Sequence, residues 1–423
     1  SLEQTINQVD EFRQAYESDP QAKKLVDFAK KLEGVARHAS THACGLVISD
    51  EPLENIAPLQ HPTQDDEAIV TQYEMHSIED LGLLKIDILG LKNLTIIENT
   101  INLIKKYHSK EIKIDTLSLD DKETYKLLQN GETVGVFQLE SEGMQRYLKQ
   151  LKPTEFEDII VMVALYRPGP MELIPNYIAR KFKKQKIEYI HPKLKPILEN
   201  TCGIPIFQEQ LMQMAKDLAG FSLSEADTLR KAIGKKIKKL LMEQKEKLIS
   251  GMVKNQISKE TAGQIWEWIQ PFGQYGFNKS HAASYATIAY QTTFLKTHFP
   301  TEFMTALLNS EQADVERISI LIDECKRTGI KVLPPDINES EESFARVDEK
   351  VIRFGIEAIK NVGSNISSAI VSERRKNGLF RSIDDFLSRV SSKDLNKKFL
   401  ESLIKAGVFD RINERGQLLL NLE

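Results

Sequence analysis

At 423 residues the chain is too long for one ordinary domain, and its length predicts two to four units of about 100–200 residues each. Hydrophobic residues at 41% and charged residues at 28% are usual for a globular protein, and a net charge of −4 excludes attraction to a polyanion by bulk charge, so any such contact must come from local basic clusters. Cys44, Cys202 and Cys325, with no CxxC among them, exclude a disulfide framework and fit a reducing compartment. No apolar run approaches the ~20 residues of a membrane span, no secretory signal is present, and the Ser-Leu-Glu start without Met leads us to expect a piece of something longer.

In chain order, residues 18–35 predict a helix with Asp19 as cap, Pro20 in the first turn and an apolar stripe of Leu25, Phe28, Ala29 and Leu32. The stretches 41–49 and 82–89 are short, apolar and bounded by turn residues, so they predict strands. From about 92 to 325 the periodicity is mostly helical. "NLTIIENTINLIKKY" is amphipathic with Asn93 as its candidate cap, and "PTEFEDIIVMVALYRPGP" must stop before Pro168. "SLSEADTLRKAIG" carries a capping box, Ser222 with Glu225, and Gly234 at its end. "SHAASYATIAYQTTFLKTHFP" is a long helix closed by Pro300. "KVLPPDIN" at 331–338 breaks the pattern and marks a domain boundary, after which "ARVDEKVIRFGIEAI" predicts a small hairpin leading into further helices, and "GQLLLNLE" the last of them. The fold class is therefore mainly α with a small α/β part. A two-strand piece is marginal alone, so it calls for partner strands upstream.

"GLLKIDILGL" (82–91) places one carboxylate in an apolar strand. Alternation puts Leu84, Ile86 and Ile88 on a core face and Lys85 with Asp87 on the other, sheltered by Leu83 and Leu89. A sheltered carboxylate needs a partner; either Lys85 simply pairs with it or it holds a metal, and one carboxylate does not make a metal site. "GFNKSHAASYA" sets Lys279 and His281 at a helix start capped by Asn278 or Ser280, with Tyr285 one turn on; free N–H groups there favour an anion such as a triphosphate, and the plainer reading is a structural His with a solvated Lys. "LRKAIGKKIKK" is the densest basic run, with Arg230 and Lys231 near a helix end and Lys235, Lys236, Lys238 and Lys239 beyond Gly234. "RKFKKQK" (180–186) is a second run, open between solvated surface and nucleic-acid contact. "YRPGP" is a rigid turn presenting Arg167, which touches a ligand or caps the preceding helix. His38, His42 and Cys44 bring no fourth ligand, so zinc is not expected there. In the last hundred residues, Gly363 and Gly407 stand in two helix–turn–helix patterns and permit close backbone approach to phosphate.

Taken in order, "ARHASTHACGLVIS", "LGLLKIDILGLKNLTII", "GVFQLESEGM", "ALYRPGPM", "FQEQLMQMA", "LRKAIGKK", "YGFNKSHAASYA", "LPPDIN" and "FGIEAIKNVG" resemble the bacterial replicative DNA polymerase III alpha subunits, the family C DNA polymerases, from about residue 20 to the end. The resemblance implies the end of a thumb (1–36), the C-terminal part of a palm (37–92), fingers (93–330) and a tandem helix-hairpin-helix DNA-binding region (331–423). It implies template-directed nucleotidyl transfer from a dNTP to a primer 3′-OH with two Mg2+ ions. Asp87 would be the third catalytic aspartate and a metal ligand, supported by Lys85. Arg230, Lys231, Lys279, His281, Tyr285 and Arg167 would bind nucleotide, and Lys235, Lys236, Lys238, Lys239, Gly363 and Gly407 would bind DNA. His42 would pack at the palm–thumb junction.

The implied partners are primer–template DNA, dNTP and, through the parent protein, the sliding clamp and other replisome subunits, in the bacterial cytoplasm and at no membrane. The family's first two aspartates belong to a Pro-Asp-x-Asp-type motif that this sequence lacks, so the chain alone is expected to be inactive. The alternative is a non-catalytic DNA-binding or replisome scaffolding chain. A metal hydrolase built on His38, His42 and Asp87 would need a further ligand cluster.

Overall fold

The computed structural model describes residues 1–35, 40–62, 67–234, 238–390 and 396–421. The chain divides into two compact units, Ser1–Leu91 and Lys92–Glu423.

The first unit begins with helices Leu2–Gln8, Asp10–Ser18 and Pro20–Leu32. Asp19 caps the third as expected, its carboxylate accepting from the Gln21 amide at 2.8 Å. The stripe of that helix is not buried: Leu25 and Leu32 are each 71% exposed and Phe28 55%, because no described element of this unit covers it. Strand Gly45–Ile48 pairs antiparallel with Leu84–Asp87, with Gly45 opposite Asp87 and Val47 opposite Lys85. A second ladder, Leu59–Gln60 with Val70–Thr71, is too short to have left a periodic signal. The expected core face is reversed. Leu84, Ile86 and Ile88 are exposed, as are Leu46 and Ile48 opposite them. Among the described residues the ladder has two strands, and the short helix Met75–Asp80, with buried Ile78, packs on the Leu84–Asp87 strand without covering this face.

The second unit is helical around several cores. Helix Phe156–Leu165, buried along almost its whole length, lies along Lys279–His298. Ala282, Ala286 and Ala289 of the latter are fully buried; small side chains on one face let the two backbones approach. A second core joins Gln208–Ala219, Leu223–Gly234, Lys238–Lys254 and Lys259–Tyr275 around Trp266. A third gathers Lys92–His108, Pro300–Ser310 and Val315–Arg327. Asn93 lies inside Lys92–His108 rather than capping it. The Ser222–Glu225 box forms: the Ser222 amide donates to Glu225 at 2.8 Å and the Glu225 amide to Ser222 Oγ at 3.3 Å. The Lys247 hydrogen bond, ahead of those with Ser222, lowers the Glu225 carboxyl to about 2.

The hairpin after residue 340 is Ala345–Asp348 with Val351–Arg353, and Lys331–Leu333 adds a parallel third strand. Helices Ser364–Asn377, Ile383–Arg389, Lys397–Ala406 and Arg415–Leu420 close the chain around their own core. Gly407 is there for conformation. Its φ is +80°, it caps Lys397–Ala406, and a Cβ would stand 2.2 Å from Arg415 Nη2 and 2.7 Å from Asp410 Oδ2. The half-exposed Arg415–Asp410 pair therefore lies beside this turn. Gly363 caps Ser364–Asn377 with ordinary extended backbone and open space before it.

Candidate functional site

Strand pairing decides the surroundings of Asp87. Gly45 opposite it has no side chain, and an added Cβ would lie 3.0 Å from His42 Nδ1 and 3.3 Å from Asp87 Oδ1. Lys85, two residues back on the same face, donates its Nζ to Asp87 Oδ1 at 2.6 Å, and His42 Nδ1 is 3.9 Å from the same oxygen. The Lys85 hydrogen bond, ahead of the Lys85 and His42 charges, holds the Asp87 carboxyl below the usual carboxylate range against the smaller opposing effect of burial. The side chain is 52% exposed while Lys85 is 13% exposed, so the acid is open to solvent rather than sheltered, and the lysine is the less exposed partner. The Cys44 thiol completes a group whose ligand atoms all lie within 4.8 Å of one another. Strand pairing, not helical repeat, brings Asp87 to His42. His38 lies outside the described residues.

In the second unit a single backbone bridge, Phe207 to Phe277, joins two of the sequence motifs. The Gln208 amide donates to the Phe277 carbonyl at 2.9 Å and the Phe277 amide to the Ile206 carbonyl at 2.9 Å. Gln208 Nε2 donates to the Gly276 carbonyl at 3.0 Å, while its Oε1 accepts from Arg230 Nη1 at 3.3 Å. Glu209, next along, accepts from the Lys279 amide at 3.1 and 3.0 Å and from Asn278 Nδ2 at 3.3 Å. Gln208 and Glu209 thus tie Arg230 and Lys279 to one helix start. Sequence reasoning missed both; the "FQEQL" run marked them, but nothing in it pointed to partners about 20 and 70 residues away.

The same contacts correct the picture of an open anion site. Asn278, not Ser280, caps Lys279–His298, accepting from the His281 amide at 2.7 Å. With Glu209 on the Lys279 amide, a carboxylate already meets the positive end of the helix dipole. The Lys279 ammonium stands 5.7 Å from the Phe207 ring centre, beside a cavity of about 230 Å³ that Phe207, Glu209 and Asn200 also line. Arg230 and Lys231 share Asp227: Arg230 Nη2 to Oδ1 at 2.8 Å and Lys231 Nζ to Oδ2 at 2.8 Å. The Lys231 and Arg230 hydrogen bonds hold the Asp227 carboxyl below its ordinary range.

Arg167 caps. Its Nε donates to the Ala164 carbonyl at 3.0 Å, its Nη2 bonds the Tyr275 carbonyl, and its guanidinium stacks 4.7 Å from the Phe277 ring centre. Burial lowers its pKa. From Phe277 the stack continues to His281 (5.4 Å), Tyr285 (4.1 Å) and Phe137 (5.1 Å). Tyr285 is therefore engaged on both sides. Lys239 is exposed on Lys238–Lys254; Lys235 and Lys236 lie outside the described residues, as does the side chain of Lys238. In the "GVFQLESEGM" loop, Glu140 accepts from the Gly135 amide at 2.9 Å and pairs with Arg317 at 2.5 Å.

The family model described as the bacterial DNA polymerase III alpha subunit finger domain matches residues 93–256, which contain Phe207, Gln208, Glu209 and Arg230. That described as the bacterial DNA polymerase III alpha NTPase domain matches residues 1–90. The DNA polymerase III subunit alpha of Thermus aquaticus is 44% identical over 427 residues, covering 100% of this chain and 35% of that protein. Those of Aquifex aeolicus and Borreliella burgdorferi are 45% and 46% identical, over 97% of this chain and 35% and 36% of theirs. The chain belongs to the bacterial DNA polymerase III alpha subunit family. It spans about a third of the length of these relatives. A helix-hairpin-helix motif model matches residues 329–418. No helix among the described residues is long and apolar enough to cross a membrane.

Against the magnesium chemistry that polymerases use, the donor set at Asp87 is incomplete. Magnesium takes oxygen ligands in an octahedron, and the described group offers one carboxylate, one imidazole and one thiol. Asp87 fits as a single ligand; the described residues bring it no second carboxylate.

Proposed function

We propose that this chain is the nucleotide- and DNA-gripping portion of a template-directed DNA polymerase. The identity to DNA polymerase III alpha subunits along its entire length carries the reading. In this assignment residues 1–36 end a thumb, 37–92 complete a palm, 93–330 are fingers and 331–423 a helix-hairpin-helix region. The parent reaction is in-line attack of a primer 3′-OH on the α-phosphate of a dNTP, releasing pyrophosphate. Asp87 is assigned as one ligand of a divalent ion, Mg2+ by the chemistry of the reaction, with Lys85 keeping the acid ionised and oriented. Lys279, Arg230 and Lys231 are assigned to offset charge on the triphosphate and on the departing pyrophosphate. His281 and Tyr285, backed by Phe277 and Phe137, form a wall for the nucleotide, and Arg167 holds that wall in place. Lys239 with its basic run, and the open turn at Gly363, contact DNA backbone, which is bound without sequence readout. The sliding clamp and other replisome subunits are partners of the parent protein, in the bacterial cytoplasm.

A second reading, a DNA-binding or scaffolding chain without catalysis, is favoured by the single carboxylate at position 87. Primer extension and salt-dependent primer–template binding separate the two. The chain is expected to bind primer–template with affinity that falls linearly in log–log against salt, and to add no nucleotide. Binding that ignores salt, or no binding, would refute the gripping role; extension by the pure chain would refute the incompleteness at Asp87.

A further inference from the structure

A cavity of about 420 Å³ in the second unit is not used by any role assigned above. Its walls are largely apolar and aromatic: Tyr189, Trp268, Tyr275, Pro170 and Ile204, with Arg180 among them. Its volume falls in the ~300–1,000 Å³ range of small-ligand sites. Two features of the "YRPGP" turn keep it open. Gly169 has φ +95°, and a Cβ there would stand 2.8 Å from the Tyr275 ring. The Tyr275 carbonyl in turn receives Arg167. Arg167, whose guanidinium lies over Phe277, is thus held by the backbone of a residue that lines the cavity.

The rim explains the second basic run. Arg180, Glu188 and Tyr189 line the cavity, and the segment from Lys181 to Ile187 connects them. Lys181 is committed to buried Asp158, and the Arg180 Nη1 is fixed on the Cys202 carbonyl at 3.2 Å. Lys186 reaches Glu188 at 3.5 Å. Lys183 and Lys184 are exposed and enter no ion pair among the described residues. Two carboxylates, Glu172 and Glu188, also stand at the lining and disfavour a phosphate inside. An occupant must therefore be flat and uncharged, carry hydrogen-bond donors for the carboxylates, and bring its negative charge to the lysines outside.

We propose that the cavity receives one unpaired nucleobase of a single DNA strand, stacked on the aromatic wall, with the neighbouring phosphates on Lys183 and Lys184. Base–aromatic stacking plus a basic track is how single strands are held without sequence readout, and an exocyclic amino group gives Glu172 and Glu188 a donor. The proposal rests on the DNA-binding reading above and adds to it a site for unpaired strand.

The chain has two tryptophans, and only Trp268 lines the cavity, while Trp266 is 2% exposed in the core. Short oligo-dC is titrated against the intact chain with tryptophan emission as readout, beside an abasic strand of the same length, and primer–template duplex is measured in parallel by anisotropy. Oligo-dC is expected to quench Trp268 and the abasic strand to leave it unchanged. Trp268→Phe is expected to abolish the quench while the Trp266 emission reports an intact fold, and Tyr189→Ala to weaken oligo-dC about 10-fold, as loss of one stacked base does. Equal affinity for both strands with no quench overturns the base pocket; if duplex still binds, the gripping reading stands. If neither strand nor duplex binds, both fall.

Discussion

Lys296 and Glu324 are 3% and 4% exposed and meet at 2.6 Å. The ammonium's other two acceptors are the Glu132 and Val134 carbonyls, each at 2.7 Å. Burial pushes the Lys296 pKa down, and Glu324 opposes that push. Glu324→Gln keeps the shape and one acceptor but removes the compensating charge. Breaking a buried pair by removing one partner costs about 3–5 kcal/mol. The low end applies here, because Gln still accepts and Arg327, the other partner of Glu324, is 47% exposed and can turn to water. A loss of about 3 kcal/mol corresponds to roughly 100-fold faster exchange of amides that exchange through local opening. Native-state hydrogen exchange in Lys279–His298 and Val315–Arg327 measures it without assuming that both units unfold together.

The sign of the pH dependence follows. In the variant the folded Lys296 pKa lies still further below its unfolded value of about 10.4, so between the two the unfolded state holds more protons and stability rises with pH. The deficit of Glu324→Gln against the parent is therefore expected to shrink as pH climbs towards 10. A deficit below about 1 kcal/mol, or one that is flat with pH, would refute the description of Lys296 as a buried cation dependent on Glu324, since exposed pairs give only ~0–1 kcal/mol. Lys296 also fastens the segment leading to Phe137, which stacks on Tyr285, so nucleotide affinity is expected to fall with the same variant.

Glu209→Gln keeps an acceptor for the Lys279 amide but removes a negative charge from the helix start. At ~4–5 Å with water-like screening this relieves roughly 1 kcal/mol per phosphate charge, so dNTP binding measured by equilibrium dialysis should tighten about fivefold; weaker binding would show that the carboxylate itself is required. Lys85→Met removes the largest cause of the low Asp87 pKa, and the Asp87 carboxyl resonance should titrate at higher pH than in the parent; an unchanged midpoint would assign its depression elsewhere. Glu225 has its carboxyl lowered from 4.5 to about 2, so its cap on Leu223–Gly234 contributes fully above about 4.5 and is lost as pH falls through about 2. Exchange protection of that first turn should follow this course, and Glu225→Gln should flatten it.

Local chemistry made much of the fold legible. The Asp19 cap, the Ser222–Glu225 box, the stop before Pro168 and the hairpin after residue 340 depend on neighbours within a few residues, and the motifs carried the family. What could not be read came from distant pairing. The parallel strand Lys331–Leu333 has too few residues for alternation to register. Leu84 and Ile86 obey the pattern of a buried face, yet burial depends on what covers a face, which a period-two pattern does not reveal. Glu209 at the start of Lys279–His298 was invisible for the same reason: a capping box is a local signal, whereas a carboxylate from another helix leaves none. Arg167 stood evenly between ligand and cap, and its bonds to the Ala164 and Tyr275 carbonyls depend on a residue more than 100 positions away. At Gly407 the sequence offered a flexible turn, and the Arg415–Asp410 pair beside it comes from residues farther along and had to be seen.

Gln208 and Glu209 occupy successive positions at the beginning of one helix, yet one is bonded to Arg230 and the other to the first amide of Lys279–His298. Such an arrangement acts as a yoke. A small roll of Gln208–Ala219 about its axis would swing the guanidinium and the ammonium-bearing turn together, so the cations assigned to the triphosphate would advance or withdraw as a pair.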